Sequence, residues 1–205
     1  MPIVAVTRSS ISTAIVHQVA KELTDAGHSV GLAAADGLFV AGTHLRFNDP
    51  SEPWAARKIL NHPDVEIAVI EVDPDDILER GLPFQYCDVA LVTAESDGAP
   101  AGFPPPESVV CRLVGASGHI VLSSDARELV ALRNTFAGTV HLLDRERSEP
   151  DRLQTATSIA LMFGDDPAGK ADRPQVAQDG DEVDTHGAMT HLHAFTASPS
   201  AIHND

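Results

Sequence analysis

The residues whose types and spacing could do chemistry lie directly after the first apolar run of the chain. Residues 6–14 read VTRSSISTA; they follow the apolar run PIVAV and lead into a helix pattern that ends at Gly27. A strand, a tight turn and a helix start are what a phosphate loop requires, because the first N–H groups of the helix point at the anion. The turn contains no glycine and no lysine, so its placement fits phosphate binding while its residue types do not.

A second polar group follows the most strand-like run of the sequence, VEIAVIEV. It consists of five carboxylates: Glu71, Asp73, Asp75, Asp76 and Glu79. Oxygen ligands at this density could gather a hard cation. Alternatively, Asp73 caps a helix that starts at Pro74, and the positive end of that helix favours Asp75 and Asp76 in its first turn. The cap is the simpler interpretation, and the cation site remains an alternative.

Apolar, strand-like runs alternate with helix-like patterns along residues 1–143. Nearly continuous apolar strands separated by helices predict an α/β fold with a parallel sheet covered on both faces. Ser51 and Asp125 are the expected N-caps of two of these helices.

Composition excludes several classes of partner. The 205 residues carry a formal net charge of −16 and 4% aromatic residues, so the sequence predicts neither nucleic acid nor an anionic membrane as partner.

Cys87 and Cys111 lack metal or redox spacing and are expected to be buried free thiols. No apolar run approaches the length of a membrane span and no signal segment is recognisable, so we expect a cytoplasmic protein.

The composition and the hydrophobic periodicity of the sequence change near residue 164. The last 41 positions hold eight acidic residues, two basic residues and little hydrophobic periodicity. We therefore predict a domain over 1–163 and a disordered acidic tail over 164–205. Four histidines lie in that tail, which leaves metal binding by the tail as an alternative: His186, His191, His193 and His203.

Several runs together resemble the central, ATP-binding domain of the Mur ligase family, in its cyanophycin synthetase branch. They are PIVAVT, AGHSVGLAAADGLFVAG, PWAARKILNHPDVEIAVIE, DILERGLPFQYCDVALVT and HIVLSSDARELVALRNTFAGTVHLL, in the order of the family. The resemblance implies a three-layer, P-loop-like domain with a parallel sheet. It also implies ATP and Mg²⁺ as cofactors, because such enzymes join amino acids or peptides through an acyl-phosphate formed from ATP.

The resemblance places the family's phosphate loop, Thr-Gly-Thr-Asn-Gly-Lys-Thr-Thr, on residues 7–14. Ser12 then stands at the lysine position, stiff Ile11 stands at a glycine position, and Thr13 stands where the family's magnesium-contacting hydroxyl stands. Glu71 retains the family's second magnesium contact, whereas Asp75 replaces an arginine. If ATP binds, its phosphates are expected at Thr7, Arg8, Ser9, Ser10, Ser12 and Thr13, and Mg²⁺ at Thr13 and Glu71.

Two further family positions are altered. The family's histidine segment, which would follow the run CDVALVT, has no histidine here, and its lysine falls near Glu107. We therefore assign no catalytic residue and interpret the chain as a degenerate stand-alone copy, a non-catalytic interaction or regulatory module.

Two alternatives are a residual ATP-dependent acid–amino-acid ligase or nucleotide-binding subunit, and a cation-binding module. The expected partner is a second copy of the chain, forming a homo-oligomer, or a Mur-type ligase such as cyanophycin synthetase.

Overall fold

The computed structural model describes residues 1–9, 12–45, 55–92, 104–143, 154, 157 and 158. In these ranges it has one eight-stranded sheet, with the order β4-β3-β2-β5-β1-β6-β7-β8. The strands are β1 (Ile3–Thr7), β2 (Val30–Ala34), β3 (Gly37–Val40), β4 (Thr43–Leu45), β5 (Ile67–Val72), β6 (Cys87–Val92), β7 (Val114–Ser123) and β8 (Thr139–Leu143). The helices are α1 (Ser12–Asp25), α2 (Ala55–Leu60), α3 (Pro74–Arg80), α4 (Glu107–Arg112) and α5 (Arg127–Leu132), followed by a 3₁₀ turn (Arg133–Thr135).

The order in which the chain adds parallel strands to the sheet reverses at β1, which lies between β5 and β6. The chain leaves β1 for β2 on one side, and later leaves β5, passes β1 and forms β6 on the other side. Loops that follow neighbouring strands diverge at such a point and leave a crevice at the carboxyl ends of the strands. The loop that begins at Arg8 lies at this crevice.

Helices cover both faces of the sheet. The apolar stripe of α1, which includes Ile15, Val16 and Val19, is buried against the face formed by Val4, Val6 and their neighbours. Buried residues of α2 to α5, such as Ile59 and Leu129, join the cluster on the opposite face. The three-layer α/β arrangement expected from the sequence is therefore confirmed.

One edge of the sheet is antiparallel, which the sequence analysis did not include. β2 pairs antiparallel with β3, and β3 with β4. Two-residue turns join these strands, and a connection that short can only reverse the chain. In the second turn both Ala41 (φ 47°) and Gly42 (φ 75°) have the positive φ that such a turn demands.

Several local expectations can be compared directly with the structure. Cys87 and Cys111 are buried free thiols, as predicted, and burial raises the pKa of Cys111 to about 12. Asp125 is not the cap of α5, because that helix starts at Arg127 with Ala126 at the N-cap position. Ser51, the 163/164 boundary and the tail lie outside the described residues. No described helix is long and apolar enough to cross a membrane.

Candidate functional site

Strand pairing brings the two polar groups of the sequence together. Val6 pairs with Glu71 and Thr7 with Val72 in the parallel β1–β5 ladder. The ladder continues one step further, since the Arg8 N–H donates to the Val72 carbonyl at 2.7 Å. The start of the predicted phosphate loop and the carboxylate-rich end of β5 therefore lie side by side, although 64 positions separate Thr7 from Glu71.

Glu71 is held by three donors from two other elements. Its Oε1 accepts from Ser12 Oγ at 2.5 Å and from Thr13 Oγ1 at 3.2 Å, both at the start of α1. Its Oε2 accepts from the Ala35 N–H at 2.6 Å, in the β2–β3 turn. Both carboxylate oxygens are thus engaged by the protein itself.

Ser12 is the centre of this arrangement. Its side chain is fully buried, and its Oγ also accepts the Ser9 N–H at 3.0 Å and lies 3.0 Å from the Ser9 carbonyl. A hydroxyl has one proton to donate, and the carboxylate is both the closer and the stronger acceptor. Ser12 therefore donates to Glu71 and accepts from Ser9, which closes the described part of the loop onto β5.

The carboxylate of Glu71 lies at the N-terminus of a 14-residue helix. The first N–H groups and the dipole of a helix make that end attractive to anions. In a phosphate loop the anion comes from the ligand. Here a side chain of the protein supplies negative charge at the same helix end.

Arg8, the cation at the entrance of the loop, is also paired internally. Its Nη1 donates to Asp73 Oδ2, and the two side chains are 43% and 23% exposed. The other oxygen of Asp73 accepts the Asp75 N–H at 2.9 Å and caps α3, with Pro74 in the first turn. The helix-cap interpretation of this acidic segment is confirmed. In the part of the chain that the structure describes, no three His, Cys, Asp or Glu side chains converge as a metal site.

The remaining loop residues divide into two sets. Thr7 is fully buried, and its Oγ1 donates to the Leu91 carbonyl at 3.4 Å, which ties β1 to β6. Its hydroxyl therefore makes a contact within the sheet. Ser9 contributes its backbone to the contacts with Ser12, and Ser10 lies outside the described residues.

A cavity of about 420 Å³ adjoins this network at the carboxyl ends of β2 and β5. Its charged lining comes from Arg8, Glu71, Asp73, Asp76 and Arg80, and small apolar residues such as Ala33 line the rest. The volume is within the range of small-ligand sites. Its described cations are paired, Arg8 with Asp73 and Arg80 with Asp76 at 3.0 Å.

Glu107, near which the resemblance places the family's lysine, is in a different environment. It is the first residue of α4 and is 3% exposed. Among the described residues, its Oε2 has no hydrogen-bond partner. Burial raises the pKa of this carboxyl, and the charge of Glu128 acts in the same direction.

Sequence reasoning identified Ser12, Thr13 and Glu71 individually but missed that they bond to one another. It also missed the Ala35 N–H and the Arg8–Asp73 pair. The ADG sequence after β2 was an available signal, because a short turn there returns the chain beside the end of β5.

No protein-family model matches the chain. The cyanophycin synthetase of Crocosphaera subtropica is 30% identical over 148 residues, which are 68% of this chain and 17% of that protein. The cyanophycin synthetase of Geminocystis herdmanii is 27% identical over 158 residues, 73% of this chain and 18% of that protein. The chain thus spans less than a fifth of the length of these relatives.

Solved structures share the fold at low sequence identity. A bifunctional folylpolyglutamate synthase/dihydrofolate synthase with Mn, AMPPNP and L-glutamate bound superposes with a TM-score of 0.59 and 14% identity, over 81% of this chain and 54% of that one. A UDP-N-acetylmuramoyl-L-alanyl-D-glutamate–2,6-diaminopimelate ligase superposes with a TM-score of 0.52 and 14% identity, over 73% of this chain and 33% of that one. The chain is therefore a homologue of one segment of cyanophycin synthetase, with the fold of the Mur ligase central domain.

Proposed function

We propose that this domain does not bind ATP productively and acts as a non-catalytic interaction or regulatory module. The observation that carries the proposal is the 2.5 Å hydrogen bond from Ser12 Oγ to Glu71 Oε1. Ser12 stands where the resemblance places the phosphate-binding lysine, and its only proton is directed at a carboxylate of the protein. The residues present therefore do not fit an ATP–Mg²⁺ site of the family's kind.

Charge supports the same conclusion. A triphosphate entering the described part of the loop would meet the carboxylates of Glu71 and Asp73, with Arg8 already paired to Asp73. Like charges about 4 Å apart repel by about 4 kcal/mol at the effective dielectric near a protein surface. Hydroxyl groups and backbone N–H groups alone do not offset that repulsion.

The proposed partner is a second copy of the chain or a Mur-type ligase such as cyanophycin synthetase. The support is the retained framework: the sheet order, the helices on both faces and the homology extend over most of the chain, while the loop chemistry is altered. A domain that retains its family's surfaces can still associate through them without performing the family's reaction.

Thermal unfolding in millimolar Mg-ATP tests the first half of the proposal. We expect no saturable rise in Tm. A ligand that binds only the folded state stabilises it by about 2.7 kcal/mol at 100 times its Kd, so productive ATP binding would be visible as such a rise. A saturable rise would overturn the proposal. Sedimentation of the chain alone and mixed with cyanophycin synthetase tests the second half, and a monomer that forms no complex contradicts it.

A second candidate function is a residual nucleotide-binding subunit of an ATP-dependent acid–amino-acid ligase. The specific observation in its favour is the approach of Thr13 Oγ1 to Glu71 Oε1 at 3.2 Å, since these are the two residues the resemblance assigns to Mg²⁺. In that case the ion would have to displace Ser12 from the carboxylate.

Calorimetry with ATP, ADP and a non-hydrolysable analogue separates this candidate from the first. The variants are Thr13→Ala and, as a matched control on the same helix, Thr24→Ala, whose hydroxyl donates to the Ala20 carbonyl at 2.7 Å. Nucleotide binding that is lost only in Thr13→Ala supports the second candidate. Equal binding in all three proteins removes Thr13 from the site.

A further inference from the structure

A pair of histidines lies on the sheet away from the loop. His119 on β7 and His141 on β8 approach diagonally, since His119 pairs with Thr139 and His141 pairs with Val121. His119 Nδ1 lies 3.1 Å from His141 Nε2, and the ring centroids are 5.2 Å apart with an interplanar angle of 43°. Both rings are half-buried.

The pair is separate from the Glu71 site although it lies on the same face. Glu71, Val6, Leu91, Val121 and His141 are successive register partners across five adjacent strands. Four interstrand spacings place His141 about 19 Å from Glu71. The two sites therefore share no ligand.

We propose that His119 Nδ1 and His141 Nε2 together bind one divalent transition-metal ion, of the class represented by Zn²⁺ and Cu²⁺. Imidazole nitrogen is a preferred ligand for this class, whereas Mg²⁺ and Ca²⁺ take oxygen. The ion is held between the two imidazole rings, and water or a small ligand completes its coordination.

The geometry supports two nitrogens on one ion. Nitrogens bound to tetrahedral Zn²⁺ at 2.0–2.1 Å lie about 3.3 Å apart. The observed separation of 3.1 Å requires the rings to part by about 0.2 Å. The parallel register of β7 and β8 places the two rings near this spacing in the metal-free protein.

Metal binding by the pair also balances the protons on the two imidazole rings. In the metal-free pair one ring donates its N–H to the lone pair of the other. When an ion binds, both facing nitrogens present lone pairs, and the donating ring carries its proton on its outer nitrogen instead. Neutral rings therefore release no net proton. Burial, and then the neighbouring His119, lower the pKa of His141.

The test uses the full chain with the four tail histidines, His186, His191, His193 and His203, replaced by glutamine to remove background binding. Titration calorimetry with Zn²⁺ is expected to give one ion per chain, with affinity at least tenfold weaker in His119→Gln and in His141→Gln. His28→Gln, a half-buried histidine outside the pair, is the matched control and should bind as the parent does.

Two results overturn the inference: no saturable binding in the parent, or unchanged affinity in both pair variants. Paramagnetic resonance of the parent with one equivalent of Cu²⁺ needs no pair variant and guards against misfolding of either one. Coupling to two nitrogens supports the site, and a spectrum with oxygen ligands alone contradicts it.

Discussion

Glu71 and Glu107 are two carboxylates of one domain, and the structure treats them in opposite ways. Glu71 accepts from Ser12, Thr13 and Ala35, so both of its oxygens are satisfied. Glu107 is more deeply buried than most carboxylates, and its Oε2 has no partner among the described residues. Glu71 connects β5 to the start of α1 and to the β2–β3 turn. Glu107 is a polar group whose burial the fold tolerates at an energetic cost.

The largest expected effect comes from neutralising the satisfied carboxylate. Glu71→Gln should lower the free energy of unfolding by about 2 kcal/mol, because hydrogen bonds to a charged acceptor are stronger than those to a neutral one and the amide nitrogen would face a donor. Urea denaturation at pH 7 measures the change. A variant as stable as wild type would show that the Glu71 network is incidental to the fold.

Removing either hydroxyl donor should cost less stability than neutralising Glu71, and the two donors should differ. Ser12→Ala should cost about 1–2 kcal/mol, and Thr13→Ala less than about 1 kcal/mol, because their distances to Glu71 are 2.5 Å and 3.2 Å and Ser12 also accepts from Ser9. The same denaturation experiment compares them. The opposite ranking would mean that Thr13 is the principal partner and would favour the nucleotide-binding candidate.

The smallest effect concerns Glu107 and depends on pH. Burial raises its pKa in the folded protein, so the folded state holds this proton to higher pH than the unfolded state does. Its contribution to stability is full below the unfolded pKa and is lost as pH rises through the folded pKa. Glu107→Gln should remove that loss and leave stability flatter with pH.

Denaturation of wild type and Glu107→Gln at a series of pH values from 4 upwards (steps of about half a unit resolve a single titration) measures this difference. Glu79→Gln, an exposed carboxylate of α3, controls for the general effect of removing one negative charge. Identical pH profiles for wild type and Glu107→Gln would place Glu107 among the solvated carboxylates.

The sequence predicts the framework well because local signals and tertiary packing agree there. β1 and β5 are nearly continuous apolar runs, α1 has one apolar stripe that ends before Gly27, and Asp73 precedes Pro74 in a recognisable cap. Each of these patterns has one favourable structure. The antiparallel edge was missed because β3 and β4 are short, with four and three residues, and the turns that join β2, β3 and β4 carry only weak signals, ADG and AG.

The site was harder to predict because its contacts are long-range. Residue types showed that Ser12 lacks the positive charge of a lysine, but the bond from Ser12 to Glu71 spans 59 positions and depends on the β1–β5 register. The Ala35 N–H is a backbone group, so no side-chain pattern reveals it. The phosphate and magnesium assignments to the loop residues and Glu71 stay predictions.

The link from Ala35 to Glu71 has a consequence for how this domain could change over evolutionary time. The hairpin turn is attached to the centre of the sheet through Glu71 and to α1 through Asp36, which lies 2.9 Å from His17. A single exchange of Ser12 for lysine would place an ammonium group beside a carboxylate that the turn already holds in position, and the new cation would pair with Glu71 before any phosphate. Under the proposed function, a return to nucleotide binding would therefore require changes in the loop, in Asp73 and in the hairpin together.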